Sequence, residues 1–185
     1  TDTVVAKYLD QNLKSGSIIS AKDIEHKLEG TIKRDNPTIR LKEVVVLNEQ
    51  DSSCNTFDSD ETIKIRVTYE CLSVVKDLRI YMYMVDGENR MIFASQNMDN
   101  ESENNFYQRN PGTYSSTCLI PPNTFGEKQF FVSVHLINLK IEHLVLERAL
   151  GFNVIFQGYN NALALKDSFI RPKLEWHTEF IGREV

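Results

Sequence analysis

Residues Ile63-Lys-Ile-Arg-Val-Thr-Tyr-Glu-Cys71 alternate apolar and polar without a break. A strand side chain changes face at every residue, so Ile63, Ile65, Val67 and Tyr69 share one face, with Lys64, Arg66, Thr68 and Glu70 on the other. The same period recurs near Ile39–Leu47, Leu78–Val85, Arg90–Ser95, Thr113–Ile120, Gln129–Asn138, His143–Leu146, Phe152–Phe156 and Lys173–Phe180. Turn chemistry separates these stretches: Asp86-Gly87, Asn110-Pro-Gly112, Pro121-Pro-Asn123, Gly126 and Gly158. Many short strands at this spacing, with no helices between them, predict an all-β, two-sheet antiparallel immunoglobulin-like β-sandwich.

The first 36 residues read differently. Val4, Val5, Tyr8 and Leu9 repeat at helical spacing, Ser15-Gly-Ser17 interrupts them, and Ser20 with Asp23 resembles a capping arrangement. Ile24 and Leu28 then share a helix face ahead of Gly30. Two short helices cannot bury a core, so residues 1–36 are expected to be a linker and the tail of a preceding domain, and residues 37–185 the sandwich. Asn97–Asn105 reads as a polar loop.

Composition removes several function classes. A net charge of −5 and no basic cluster argue against a nucleic-acid partner. No apolar run reaches the ~18–20 residues of a membrane-spanning helix. The opening Thr-Asp-Thr-Val-Val has neither a charged leader nor an apolar signal core. Three widely spaced cysteines, Cys54, Cys71 and Cys118, fit a reducing compartment, so a cytoplasmic location is expected. There is no phosphate-binding glycine loop, so no nucleotide cofactor is expected on this stretch, and no G-x-S-x-G elbow. The four histidines lack metal-ligand spacing, so no metal is expected. Asp58-Ser-Asp60-Glu61 lacks the later ligands of a calcium loop and reads as a solvated turn. Glu142, Glu147 and Asp167 are available carboxylates, but nothing in the sequence pairs them as a glycosidase requires.

Two strands stand out by the face they turn away from the core. Leu78–Val85 carries Arg79, Tyr81 and Tyr83 there, and Gln129–Asn138 carries Phe131, Ser133 and His135. An immunoglobulin-like sandwich places its third, sixth and seventh strands side by side, which adds Asn153 to the same surface. Flat aromatic faces suit the C–H side of a sugar ring, while Arg79, Ser133, His135 and Asn153 suit its hydroxyls or a charged substituent. Such a face is equally what a loop or a second subunit would cover.

Several segments together resemble the C-terminal domain of Wzt-type ATPase subunits of O-polysaccharide ABC exporters. They are Thr3-Val-Val-Ala-Lys-Tyr-Leu9, Ile39-Arg-Leu-Lys-Glu-Val-Val-Val-Leu-Asn48 and Phe57-Asp-Ser-Asp-Glu-Thr-Ile-Lys-Ile-Arg-Val-Thr-Tyr69, followed by Asp86-Gly87, the Asn-rich loop, a long strand near Phe130 and a late Trp176. The chain departs from the family pattern at Asp60, where glycine is common, and in the long stretch after Gly158. The resemblance implies a non-catalytic module that binds the non-reducing end of a lipid-linked polysaccharide on the cytosolic side and licenses its export. It implies a transmembrane exporter subunit as partner, peripheral attachment to the inner membrane through that complex, and ATP with Mg held by a separate nucleotide-binding domain. It also implies a homodimer through the terminal strand, with Lys173, Leu174, Trp176 and Phe180 at the contact. A lone late tryptophan is expected in the core or in that seam. The alternative is a structural dimerisation or scaffolding sandwich without a ligand of its own.

Overall fold

The structure, a computed structural model, describes residues 17–28, 37–99, 107–138, 142–156, 168–176 and 178. The elements run β1 (Ile18–Ser20), α1 (Ala21–Lys27), β2 (Ile39–Leu47), β3 (Thr56–Asp58), β4 (Ile63–Cys71), β5 (Val75–Lys76), β6 (Leu78–Asp86), β7 (Met91–Gln96), β8 (Gln108–Arg109), β9 (Gly112–Ile120), β10 (Gln129–Asn138) and β11 (Glu142–Ile155). One sheet has the order β1-β2-β4-β9, the other β3-β11-β10-β6-β7, and β5 with β8 forms a small ribbon. All pairs in the two sheets are antiparallel except β3 with β11. The architecture is the all-β sandwich that the alternation predicts, and β6, β10 and β11 are neighbours as the immunoglobulin order requires.

The inward faces fill the space between the sheets. Ile63, Ile65, Val67 and Tyr69 of β4 meet Leu78, Ile80, Met82 and Met84 of β6 and Phe130, Val132, Val134 and Leu136 of β10, all in one buried cluster. In β2 the apolar positions change parity, from Ile39 and Leu41 to Val44 and Val46. One extra residue at Lys42 shifts the register with β4 and keeps both sets inward.

The segment set apart as a linker contributes to this core over its described part. β1 pairs with β2, and Ile19 and Ile24 are buried in the sandwich cluster. Ser20 occupies the N-cap of α1 in an extended conformation, but its hydroxyl donates to the Asp23 carboxylate at 2.9 Å and does not cap a backbone N–H. The helix expected over residues 4–13 and the stop at Gly30 lie outside the described residues.

Two further differences concern the end of the chain. The strands expected at His143–Leu146 and Phe152–Phe156 are one continuous strand, β11, interrupted by a bulge where Ser133 of β10 faces the stretch Glu147–Ala149. Arg148 sits in the bulge with φ +45°, a left-handed conformation that nothing in its side chain announces. The terminal strand expected near Lys173–Phe180 is not formed over 171–176, and Phe180 lies outside the described residues. That segment is instead pinned at its start. Phe125 bridges Ile170, the Gly126 N–H donates to the Phe169 carbonyl at 2.9 Å, and the Arg171 guanidinium lies 4.1 Å from the Phe156 ring centre. Leu174 and Trp176 follow at 66% and 88% exposure, so Trp176 is not a core residue of this chain.

Candidate functional site

Antiparallel register sets which side chains share the outer surface of the five-stranded sheet. Arg79 stands opposite Ile137, which stands opposite His143; Tyr81 opposite His135, then Val145; Tyr83 opposite Ser133; Val85 opposite Phe131, then Gly151. On the other flank β7 offers only Ala94 beside Tyr83 and Gln96 beside Tyr81. Asn153 shares the face but sits at its far end, level with Gln129 and Thr56.

The predicted residues therefore reach one face, but they are not equally accessible. Tyr81, Tyr83 and His135 form its centre and are half-buried. The Tyr81 and Tyr83 rings lie 6.3 Å apart with planes 14° from parallel, and His135 is 4.7 Å from Tyr83. Arg79 lies at the edge, its Nε–H donating to Asp77 Oδ1 at 3.1 Å. Phe131 and Ser133 point the same way but are buried, at 5% and 1% exposure. The bulge covers them: the Arg148 guanidinium stacks 3.6 Å from the Phe131 ring centre, and the Arg148 N–H donates to Ser133 Oγ at 2.9 Å. Phe131 and Ser133 thus support the surface from beneath, and Arg148 replaces them on it.

The bulge also delivers an acid. Glu147 Oε1 lies 2.9 Å from His135 Nε2, and Glu147 is itself about half exposed. Partial burial opposes its ionisation, but hydrogen bonds from Ser133 and His135 outweigh that, so its carboxyl titrates below the ordinary glutamate range. His143, 5.3 Å from His135 ring to ring, is pushed to a lower pKa by burial and then by the neighbouring imidazole. Tyr83 is pushed up by burial, with the phenol of Tyr81 and the charge of Glu147 adding to it. The assembled surface is a pair of tyrosine rings and an imidazole, flanked by a fixed anion at Glu147 and guanidinium groups at Arg79 and Arg148.

The sequence reading did not place His143, Glu147 or Arg148 on this face, and named Glu147 only as an available carboxylate. The alternation His143, Val145, Glu147 continues the face that His135 and Ile137 occupy. Reading β11 as one strand would have found the first and third of them. Among the described residues no group of three metal-ligating side chains comes together. The acidic turn after β3 is closed on itself, with the Asp58 N–H donating to Glu61 Oε2.

Comparison with known proteins decides the family. The family model for the Wzt C-terminal domain matches residues 31–165. The chain belongs to the Wzt C-terminal domain family. The matched stretch takes in every strand of both sheets of this Wzt C-terminal domain except β1. The crystal structure of the C-terminal domain of Wzt has the same fold, with a TM-score of 0.60 over 88% of this chain and 100% of that one, at 5% identity. The X-ray structure of Northeast Structural Genomics Consortium target SoR45 aligns over 77% of this chain and 96% of its own at 15% identity, with a TM-score of only 0.29. No curated protein matches the chain. At 5% identity the structural likeness shows fold alone, so the chemistry of the surface has to be argued from this domain's own residues. Among the described residues no helix is long and apolar enough to cross a membrane.

Proposed function

We propose that this Wzt C-terminal domain is a non-catalytic glycan-recognition module whose site is the outer face of β6, β10 and β11. The observation that carries the reading is the near-parallel Tyr81–Tyr83 pair closed on one side by His135 and its bonded Glu147. Two flat rings on adjacent outward positions of a strand lose little side-chain freedom on binding and present apolar area to the C–H face of successive sugar units. The His135–Glu147 pair and Arg148 then supply acceptors and donors for ring hydroxyls, in a setting that is already fixed and so is not ordered anew by the ligand. Asn153, at the far end of the face, belongs to the same surface only for a ligand several units long.

In this reading the ligand is the non-reducing end of a lipid-linked O-polysaccharide presented on the cytosolic side. Binding licenses its passage through the transmembrane exporter subunit, while ATP and Mg are handled by a nucleotide-binding domain joined through the N-terminal segment. The test is calorimetric titration with the producing strain's own polymer, repeated after Tyr81→Ala and after His135→Ala. Loss of about tenfold or more in affinity for each supports the site. Full binding in both variants removes this face, and no binding by the unaltered domain removes the function.

A second reading is favoured by a different observation, the exposed Leu174 and Trp176. With Lys173 and Phe180 they would form a homodimer contact, leaving the domain a scaffold. Sedimentation separates the two. A Trp176→Lys variant that changes from dimer to monomer without losing polymer binding assigns the terminal segment to assembly and the sheet face to the glycan.

A further inference from the structure

The two open sides of the sandwich are finished differently. On one, β1 and α1 bring Ile19 and Ile24 into the core. On the other, the edge strands β7 and β9 face each other with small inward side chains at Ser95, Ser116 and Cys118. β9 turns Tyr114, Ser116 and Cys118 inward opposite Tyr69, Val67 and Ile65, and β7 turns Ser95 inward opposite Met82. Sheets packed about 10 Å apart are filled only where long side chains meet, and serines cannot close that gap. The result is a cleft of about 400 Å³ between the two edges.

Its lining has two kinds of surface. Ile65, Val67, Ile80 and Met82 form an apolar floor; serine and threonine groups of β7 and β9 and the amide of Asn97 just past β7 form the walls, with Tyr69, Tyr114 and Arg109 also in the lining. Asn97 is held by its carbonyl oxygen, which accepts the Ile80 N–H at 2.9 Å, yet its amide nitrogen has no hydrogen-bond partner in the protein. A buried amide N–H without an acceptor carries a desolvation penalty that a ligand hydroxyl oxygen, accepting from it, relieves. Asp99 at the rim holds Ser95 Oγ–H at 2.7 Å and the Gln96 N–H at 2.9 Å, which places a negative charge beside the entrance.

We propose that this cleft is a second binding site, for a neutral, hydroxyl-bearing ring of one or two sugar units. The volume lies within the range of small-molecule sites, the floor matches the C–H face of a ring, and the walls match its hydroxyls. The lining carries one charge of each sign, Asp99 at the rim and Arg109, whose guanidinium already donates to Tyr69 Oη and the Leu78 carbonyl, so neither favours a charged ligand, and the serine walls disfavour a purely apolar one. The proposal goes beyond the aromatic face and does not rest on it, because Tyr81, Tyr83 and His135 lie on the opposite surface of the same sheet.

The experiment uses protein labelled with ¹³C at the methionine methyls, titrated with the methyl glycosides of glucose, mannose, galactose and rhamnose. Met82 lines the cleft, whereas Met84 is buried in the core and Met91 is exposed on β7, so the last two serve as internal controls. The expected result is a saturable shift of Met82, with Met84 and Met91 unmoved, for at least one glycoside, weakened about tenfold by Ser116→Leu, which fills the cleft. The Met82 response should persist in Tyr83→Ala even where polymer binding to the face is lost. Since Ser116→Leu could also disturb packing, alkylation of Cys118 in the unaltered protein gives an independent reading, because a bound ring covers that thiol and slows the reaction. No Met82 shift with any of the four glycosides, a shift undiminished in Ser116→Leu, or an unchanged Cys118 alkylation rate overturns the proposal.

Discussion

Ser133→Ala tests whether the β11 bulge is held from beneath by one hydroxyl. Ser133 is 1% exposed and accepts the Arg148 N–H at 2.9 Å, and it also bonds the Glu147 carboxylate. Arg148 has φ +45°, a conformation that costs a non-glycine residue roughly 1–2 kcal/mol. Two contacts offset that cost: the Ser133 bond, and the stacking of the guanidinium on Phe131. Removing the hydroxyl forfeits a net hydrogen bond of about 1 kcal/mol and leaves the Arg148 N–H without its acceptor, a further ~1 kcal/mol. The bond to Glu147 adds little, because that carboxylate is half exposed and water replaces the donor. The total is about 2 kcal/mol, which for a chain of this size lowers Tm by roughly 4–8 °C. Calorimetry measures it, and a double-mutant cycle with Glu147→Ala locates it. Coupling of about 0.5 kcal/mol or more is expected, since the two residues share the bulge. A Tm unchanged within about 1 °C, or strictly additive effects, would refute the view that Ser133 holds Glu147 and Arg148 in place.

Four other outcomes follow from the structure. Glu147 titrates below its usual range when folded, so its stabilising contribution is complete near neutrality and is lost as pH falls through the folded-state value. The difference in urea midpoint between the unaltered domain and Glu147→Gln should therefore shrink in acid. His143, also lowered, binds its proton more readily when unfolded, so stability should fall as pH drops below the ordinary histidine range, and His143→Phe should flatten that slope. Tyr69→Phe removes the acceptor of the buried Arg109 Nε–H, 2.9 Å away, and should destabilise the domain by about 2 kcal/mol in denaturant titration. Gly126→Ala would drive a methyl group into the Ser168 carbonyl oxygen. It should release the segment carrying Leu174 and Trp176, seen as faster proteolysis after residue 168 with the sandwich intact.

How far the sequence determined these features depends on whether a residue's role is set by its own strand or by a neighbour's. The alternation of β4 and β6 is a property of each stretch alone, so the sandwich and the outward positions of Arg79, Tyr81, Tyr83 and His135 were legible. The burial of Phe131 and Ser133 was not, because Arg148 of another strand covers them. An arginine in the left-handed region carries no local signature of the kind glycine or asparagine gives. The same bulge split one long strand into two apparent short ones and hid the place of Glu147 on this face. Tertiary pairing likewise overrode the reading of residues 17–28 as a connector, since the apolar side chains of Ile19 and Ile24 match a gap in the core that only the fold creates. For Trp176 the core alternative fails for the opposite reason: the tendency of tryptophan to be buried presumes a core within reach, and the described segment bearing it belongs to no strand, which leaves the seam.

The aromatic face and the cleft lie on opposite surfaces of one sheet, yet they meet at a single place. Gln96, the last residue of β7, stands opposite Tyr81 on the outer face and also lines the cleft. β7 is an edge strand, so a linear ligand can pass around it from one surface to the other without displacing any strand. Two weak subsites joined by such a path act on one chain at high effective concentration, and their combined affinity exceeds that of either alone. Length dependence then distinguishes one occupied surface from two. With the face alone, affinity should level off once the oligosaccharide spans Tyr81 and Tyr83. With both, it should rise again when the chain becomes long enough to turn past Gln96, and Ser116→Leu should abolish only that second rise.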